Sequence, residues 1–543
     1  MTSRNELLSV KDLCVSFRRK KKADKVAVNR ISFSVKEGEI LGIAGESGSG
    51  KSMTALAVMG LLPDGAKCSC EEIVFDGKKL RGNNADKKEQ KAEELLRRQL
   101  SGFEMAMIFQ EPLTSLNPVL PIKTQMEEPL LLHTSLGKED RERAIIEALT
   151  KAELKNGEQL LQQYPHQLSG GMRQRVMIAM AMINKPRLLI CDEPTTALDA
   201  VTEREIVELI RRLAKENHTS VLFISHDLSV LRELCDRVMI MRDGVVVEEG
   251  TTEQIFEHPE RNYTKRLMAA AVKGPKELSE EQRTSEAETD PENEDGKRRR
   301  DKVAYVLSAE HVSVSYRQRT GLFQKRQEKL AVKEMSFDVR KGEVFGIVGE
   351  SGCGKSTLLK VLSGLYSVRE GSVNVQGTPQ MVFQDPYTSL NPAKKVGWIL
   401  EEPLRLKTKL SEAERKERVA RMLEETELPE DAGNRYVAEL SGGQRQRVAI
   451  AAALITNPEL VLLDEPVSAL DVTVQAQILE LLLKLQREHG LTYVFVSHDM
   501  AVVRKICDRV LVMKDGKVVE CGNTESLFLN PKEEYTKKLL GRK

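Results

Sequence analysis

An α/β fold built twice in one chain is what these 543 residues predict, each copy a parallel sheet covered by helices with a helical sub-domain beside it. Three observations carry this. A series of motifs occurs twice in one order: GESGSGKS at 45–52 and GESGCGKS at 349–356 both fit G-x-x-x-x-G-K-[ST]. Each is followed by Leu-Ser-Gly-Gly (168–171, 440–443), by an apolar run closing in Asp-Glu (192–193, 464–465) and by Ser-His-Asp (225–227, 497–499). The separations also agree. Ser169 to Asp192 and Ser441 to Asp464 are both 23 residues, and Asp192 to His226 and Asp464 to His498 are both 34. Finally, short apolar runs alternate with helical patterns in both halves, which implies parallel strands joined by helices. The chain therefore reads as two P-loop nucleotide-binding domains in tandem.

Element by element, ISFSV and GEILGIAG lead into the first phosphate loop, and MSFDV and GEVFGIVG into the second. RLLICDE, ELVLLDE, SVLFISH and TYVFVSH are short and apolar without alternation, the pattern of strands buried on both faces. The stretch between each loop and its Leu-Ser-Gly-Gly is predicted to form the helical sub-domain. The halves part in one place, because Lys51 to Gln110 spans 59 residues and Lys355 to Gln384 only 29. The extra KKLRGNNADKKEQKAEELLRRQLSG reads as an exposed helix with loops. The predicted division is a first domain at 1–272, a flexible charged linker at 273–302 and a second domain at 303–543. Within the linker, residues 275–302 hold one aliphatic side chain larger than Ala and no aromatic, so they cannot bury a core. The KRRR cluster at 297–300 is read as solvated charge in preference to a nucleic-acid contact.

A net charge of +1 gives no electrostatic case for nucleic acid as a partner. No apolar run approaches the ~18 residues of a membrane span, and the opening MTSRNELLSVKDLC lacks a signal peptide's apolar stretch. Eight scattered cysteines do not form a disulfide framework. Cys68-Ser-Cys70 has no second pair with which to hold a metal. A cytosolic protein is expected. Cys353 reads as a tolerated small residue in the second phosphate loop, where alkylation should block nucleotide.

In that loop chemistry, Gly45, Gly48 and Gly50, and again Gly349, Gly352 and Gly354, let successive N–H groups face phosphates at a helix N-terminus. Lys51 and Lys355 would reach the β- and γ-phosphates, while Ser52 and Ser356, the latter followed by Thr357, would ligate Mg2+. Asp192 and Asp464, ending buried strands, would hold the Mg2+ through water. Glu193 and Glu465 would polarise the attacking water. An Asp-Glu pair alone is commonly a strand-end turn, and a lone His is commonly structural; recurrence at one register in two repeats favours chemistry for both. His226 and His498 would reach the γ-phosphate, and Gln110 and Gln384 would touch Mg2+ or the water. Each Gln precedes an acidic-Pro-x-Thr-Ser-Leu-Asn-Pro string (111–118, 385–392), read as a rigid docking segment with Leu116 and Leu390 as contact positions. Ser169-Gly170-Gly171 and Ser441-Gly442-Gly443 each open a helix and form a second anion-binding terminus. A domain that already holds its phosphates has no use for it, so each is expected to serve the neighbouring domain's nucleotide.

These residues together resemble the ATP-binding cassette ATPases, with the D-loop at Ala197-Leu198-Asp199 and Ala469-Leu470-Asp471. The fused halves are similar to the two ATPase subunits of the peptide/nickel importer branch, on TSLNP after both Gln residues, LSGGMRQRVMIAMA, and the tails HPERNYTKRL (258–267) and NPKEEYTKKLL (530–540). The resemblance implies a head-to-tail sandwich of two ATP molecules. One site would join Lys51, Ser52, Gln110, Asp192, Glu193 and His226 to Ser441, Gly442 and Gly443. The other would join Lys355, Ser356, Gln384, Asp464, Glu465 and His498 to Ser169, Gly170 and Gly171. Phe17 and Tyr316 occupy the place of the adenine-stacking aromatic. Met172 departs from the usual Gln, and no cysteine-bearing extension for an iron–sulfur cluster is expected after Val272 or Lys543. Implied partners are two transmembrane permease subunits and an extracytoplasmic binding protein, with the chain peripheral on the cytoplasmic face of the membrane. Peptide is the preferred cargo, with nickel or a metallophore as alternatives. A soluble tandem cassette acting on ribosomes is the rival, disfavoured by the polar linker and by Ser-His-Asp followed by Leu or Met.

Overall fold

The computed structural model describes residues 6–18, 24–46, 48–83, 86–110, 115–196, 198–272, 304–318, 327–350, 352–468, 470 and 472–540. They form two compact units, one within Met1–Leu198 and Thr202–Val272, the other within Asp199–Val201 and Lys273–Lys543. The linker expected at 273–302 lies outside the described residues.

In the first unit, six strands make one sheet in the order Val245–Thr251, Arg237–Arg242, Ile40–Gly45, Ser220–Ile224, Leu188–Asp192, Met105–Ile108. Pairing is parallel except for the edge hairpin Arg237–Thr251. Strand Leu188–Asp192 shows why the run has no polar alternation. Leu189 and Cys191 enter one hydrophobic core while Leu188 and Ile190 enter another, so both faces are covered. The first of these cores continues into the sub-domain helices Ile122–His133, Lys138–Lys151 and Gly170–Met182. The second unit repeats the order with Lys517–Asn523, Arg509–Lys514, Val344–Val348, Thr492–Ser497, Leu460–Asp464 and Gln380–Val382. Val461 and Leu463 again face one core, Leu460 and Leu462 the other. Among the described residues no helix is long and apolar enough to cross a membrane.

Each unit also carries an antiparallel sheet that sequence reading did not foresee. In the first it joins Lys25–Lys36, Glu6–Phe17, Glu72–Phe75 and Lys78–Gly82, with Ala66–Ser69 beside it; in the second, Gln327–Arg340, Tyr305–Gln318 and Glu370–Val375. Strand Glu6–Phe17 shifts register against its neighbour at several points, one between Val10 and Leu13, and Asp12 there takes φ 51. Such bulges break the two-residue alternation that marks a strand. The extra segment of the first unit does supply a helix, Lys87–Leu100, capped by the Asp86 carboxylate on the Lys88 and Glu89 N–H groups. It is more than a surface loop. Strand Lys78–Gly82 joins the sheet, and Arg97 donates to the Leu80 carbonyl at 2.7 Å.

The docking segments need one correction. Residues 111–114 lie outside the described residues, but Leu116 is 1% exposed and Leu390 6%, each part of its unit's core. These two leucines point inward, so neither is a contact for a partner. Leu116→Asp and Leu390→Asp should each cost on the order of 4 kcal/mol, by leaving a cavity and burying an unpaired charge. Thermal melts of the full chain should show a large fall for both, whereas Val119→Asp, at a residue 75% exposed, should leave the melting temperature near wild type.

Candidate active sites

Because the central strands are parallel, their carboxyl ends meet at one edge, where α/β sheets present ligand sites. Strand Ile40–Gly45 delivers the first loop there, Leu188–Asp192 delivers Asp192 and Glu193, Ser220–Ile224 delivers His226, and Met105–Ile108 delivers Gln110. Gly45 takes φ 152, and a Cβ on it would lie 2.2 Å from the Met241 carbonyl oxygen. Helix Lys51–Met59 then starts at Gly50 with φ 101 and no capping side chain, the kind of helix N-terminus that suits an anion. The buried Lys51 ammonium donates to the Gly45 and Glu46 carbonyls at 2.8 and 3.0 Å. In the second unit Gly349, Gly354 and Lys355 repeat this, with the ammonium 2.6 Å from the Gly349 oxygen and 2.9 Å from that of Glu350.

Ser52 Oγ donates to Asp192 at 2.9 Å, and Ser356 Oγ to Asp464 at 3.0 Å. Burial pushes the Asp192 carboxyl up to about 6 against the help of Ser52, and Asp464 shifts the same way for the same reason. A buried carboxylate beside a hydroxyl, all hard oxygen donors, fits Mg2+ chemically.

Glu193 and Glu465 both have φ 47, a left-handed conformation that costs a non-glycine residue about 1 kcal/mol. Nothing in the sequence announces it. On Glu193 Oε2 converge Gln110 Nε2 at 2.9 Å, Thr196 Oγ1 at 3.1 Å and His226 Nδ1 at 3.2 Å. Glu465 Oε2 meets Gln384 Nε2 and His498 Nδ1, both at 3.0 Å. Burial works against charge on both histidines, but the glutamate hydrogen bond and charge outweigh it and raise them. The same pairing lowers both glutamates despite their burial. Sequence reasoning missed Thr196, and here the units differ. Ser468, its counterpart, donates at 3.1 Å to the Glu465 backbone carbonyl instead of the carboxylate.

The Ser-Gly-Gly triplets take no part in these networks. Ser169 caps helix Gly170–Met182 by accepting from the Met172 N–H, and Ser441 caps Gly442–Leu454 by accepting from that of Gln444. Gln444 returns a bond to the Ser441 N–H at 3.1 Å, closing a capping box that Met172 cannot form. A Cβ on Gly171 would come within 2.8 Å of the Thr202 side chain, and one on Gly443 within 2.6 Å of Val474, so both glycines also serve helix packing. Gly48 and Gly352 take φ 80 in open space, and Thr357 is half-buried on helix Lys355–Leu362. Phe17 is half-buried at its strand end, opposite Lys25 and Ala66. The Tyr316 side chain, Ala197, Ala469 and Asp471 lie outside the described residues.

A phosphate loop, a hydroxyl-carboxylate pair and a glutamate held by Gln and His define a P-loop nucleotide hydrolase in each unit. Comparison with known proteins identifies the family. The ABC transporter profile matches residues 28–196 and 332–468, and that of the oligopeptide/dipeptide transporter C-terminal region matches 247–298. The chain is 42% identical to the peptidoglycan transport ATP-binding protein YejF of Agrobacterium fabrum, over 99% of this chain and 96% of that protein. It is also 42% identical to the glutathione import ATP-binding protein GsiA of Escherichia coli O6:H1, over 98% and 89%. The solved archaeal ribosome recycling factor aABCE1 is 24% identical with TM-score 0.60, covering 95% of this chain and 91% of that one, a likeness of fold. The chain belongs to the ABC transporter family and is one of its ATPases.

Gly45→Ala should disrupt the loop severely, since the new Cβ meets backbone, whereas Gly48→Ala should cost only about 1 kcal/mol of conformational strain. Melting curves and ATP titrations of the two variants should rank them in that order.

Proposed function

We propose that this protein is the ATP-hydrolysing, energy-coupling subunit of a peptide importer, driving transport through separate permease subunits. The carrying observation is the hydrolysis network standing intact in both units. Peptide is favoured over nickel or a metallophore by the oligopeptide/dipeptide profile and by the relative named for glutathione, which is a tripeptide. Two permeases and an extracytoplasmic binding protein are the partners this role requires, with the chain peripheral on the cytoplasmic face. The domain division at 1–272 and 303–543, with a tether between, belongs to the same reading.

Lys51 and Lys355 exchange their loop carbonyls for β- and γ-phosphate oxygens when ATP binds. Ser52 with Asp192, and Ser356 with Asp464, would hold Mg2+, with Gln110 and Gln384 within reach; the ion supplies neutralisation of phosphate charge. Glu193 and Glu465 accept a proton from the attacking water, whose oxygen bonds the γ-phosphorus as the bond to ADP breaks. Gln110 and His226, and their counterparts Gln384 and His498, hold each carboxylate in aim. The family resemblance implies that Ser441–Gly443 would complete the site on Lys51, and Ser169–Gly171 the site on Lys355, so that ATP binding and phosphate release would drive the transport cycle. Phe17 and Tyr316 would stack on adenine.

Changing Glu193 and Glu465 together to Gln should leave ATP binding intact and slow hydrolysis by roughly 10² to 10⁴; turnover near wild type would remove the glutamates from this role. For the partner, affinity capture from detergent-solubilised membranes should recover two polytopic proteins. Recovery of ribosomal particles from the soluble fraction, with no membrane protein retained, would replace the importer with a ribosome factor.

A further inference from the structure

The two tails share Tyr-Thr-Lys, at 263–265 and 535–537, a repeated motif that the proposed hydrolysis does not use. In the second unit the short helix Glu534–Leu539 packs Tyr535 and Leu539 into the core. Its approach is fixed by Glu520, whose carboxylate accepts the Lys532 and Glu533 N–H groups at 3.0 and 3.3 Å. The first unit anchors its tail identically, with Glu248 accepting from Glu260 and Arg261 at 2.8 and 3.2 Å. A cation covers the tyrosine ring in both: Lys514 Nζ lies 4.7 Å from the Tyr535 centroid, and the Arg242 guanidinium 4.8 Å from that of Tyr263. In each unit this apparatus places one phenol.

What Tyr535 reaches is the phosphate loop. Its hydroxyl accepts the Glu350 N–H at 3.1 Å. Glu350 directly follows Gly349, the sharp turn at φ 155, and its carbonyl accepts from Lys355 at 2.9 Å. This residue is thus held on both sides, by Tyr535 at its N–H and by Lys355 at its oxygen. When Lys355 turns to phosphate, the tyrosine bond is the one that stays.

We propose that Tyr535 is a positioning residue for the second ATP site, a latch by which the C-terminal tail keeps the 349–356 loop in its phosphate-binding shape. The inference rests on reading that loop as the phosphate site. It assigns the tail a part in nucleotide affinity, separate from the hydrolytic step.

The test uses the full chain carrying Lys51→Ala, so that the site on Lys355 dominates, titrated with a fluorescent N-methylanthraniloyl ATP. Adding Tyr535→Phe removes one oxygen and should weaken binding roughly three- to tenfold, the worth of one hydrogen bond. The rate at saturating ATP and the melting temperature should stay near the parent's. Amide exchange should quicken in the peptide spanning Glu350 and not in the rest of the unit. Unchanged affinity in Tyr535→Phe, while Lys355→Ala abolishes binding, would overturn the latch and leave the site standing. Binding that survives Lys355→Ala would overturn both. Weakened binding accompanied by a lower melting temperature and faster exchange across the unit would also overturn the latch, since the hydroxyl would then serve only general stability.

Discussion

The constraint on which each unit depends is the parallel pairing of the aspartate strand with the histidine strand. In the first unit Asp192 lies opposite Ile224, and the Glu193 N–H goes on to the Ile224 carbonyl at 3.0 Å. In the second, Asp464 lies opposite Val496 and the Glu465 N–H reaches the Val496 carbonyl at the same distance. The ladder therefore runs one residue past the aspartate before the chain turns. That last rung fixes where both carboxylates stand relative to the histidine two residues beyond Ile224 or Val496. Slipping the register by one would put Asp192 in the place of Cys191, facing an apolar core, and Glu193 in the place of Asp192.

Burial does the rest of the tuning. Asp192 and Asp464 lose solvent and become reluctant anions, which would suit the cation-facing task proposed for them. The neighbouring glutamates are largely enclosed too, yet the hydrogen bond and charge of a histidine and the charge of the loop lysine hold them below the usual carboxylate range. Two adjacent carboxylates thus acquire different characters from their surroundings alone.

The residues that meet at each candidate site were legible in the sequence because phosphate binding admits few residue types, and the doubled spacing removed coincidence. The buried strands were legible for a related reason: runs such as LLICD and LVLLD have no polar position to confuse them. The antiparallel sheets were not legible, because bulges such as that at Asp12 scramble the alternation. Leu116 and Leu390 misled because a Pro-bounded polar string looks like surface, while a single leucine inside it can still turn inward to pin the string down. Thr196 was invisible because a hydroxyl's partner depends on its rotamer, and the aligned Ser468 makes a different choice.

The left-handed backbone at Glu193 and Glu465 has a consequence for how such a gene can drift. Glycine would sit there without strain, and asparagine with little. A glycine or asparagine at this codon would therefore relax the backbone while leaving Gln110 and His226, or Gln384 and His498, without the carboxylate they meet. The glutamate at both positions is thus the residue that the side-chain network asks for and not the one that the backbone would prefer.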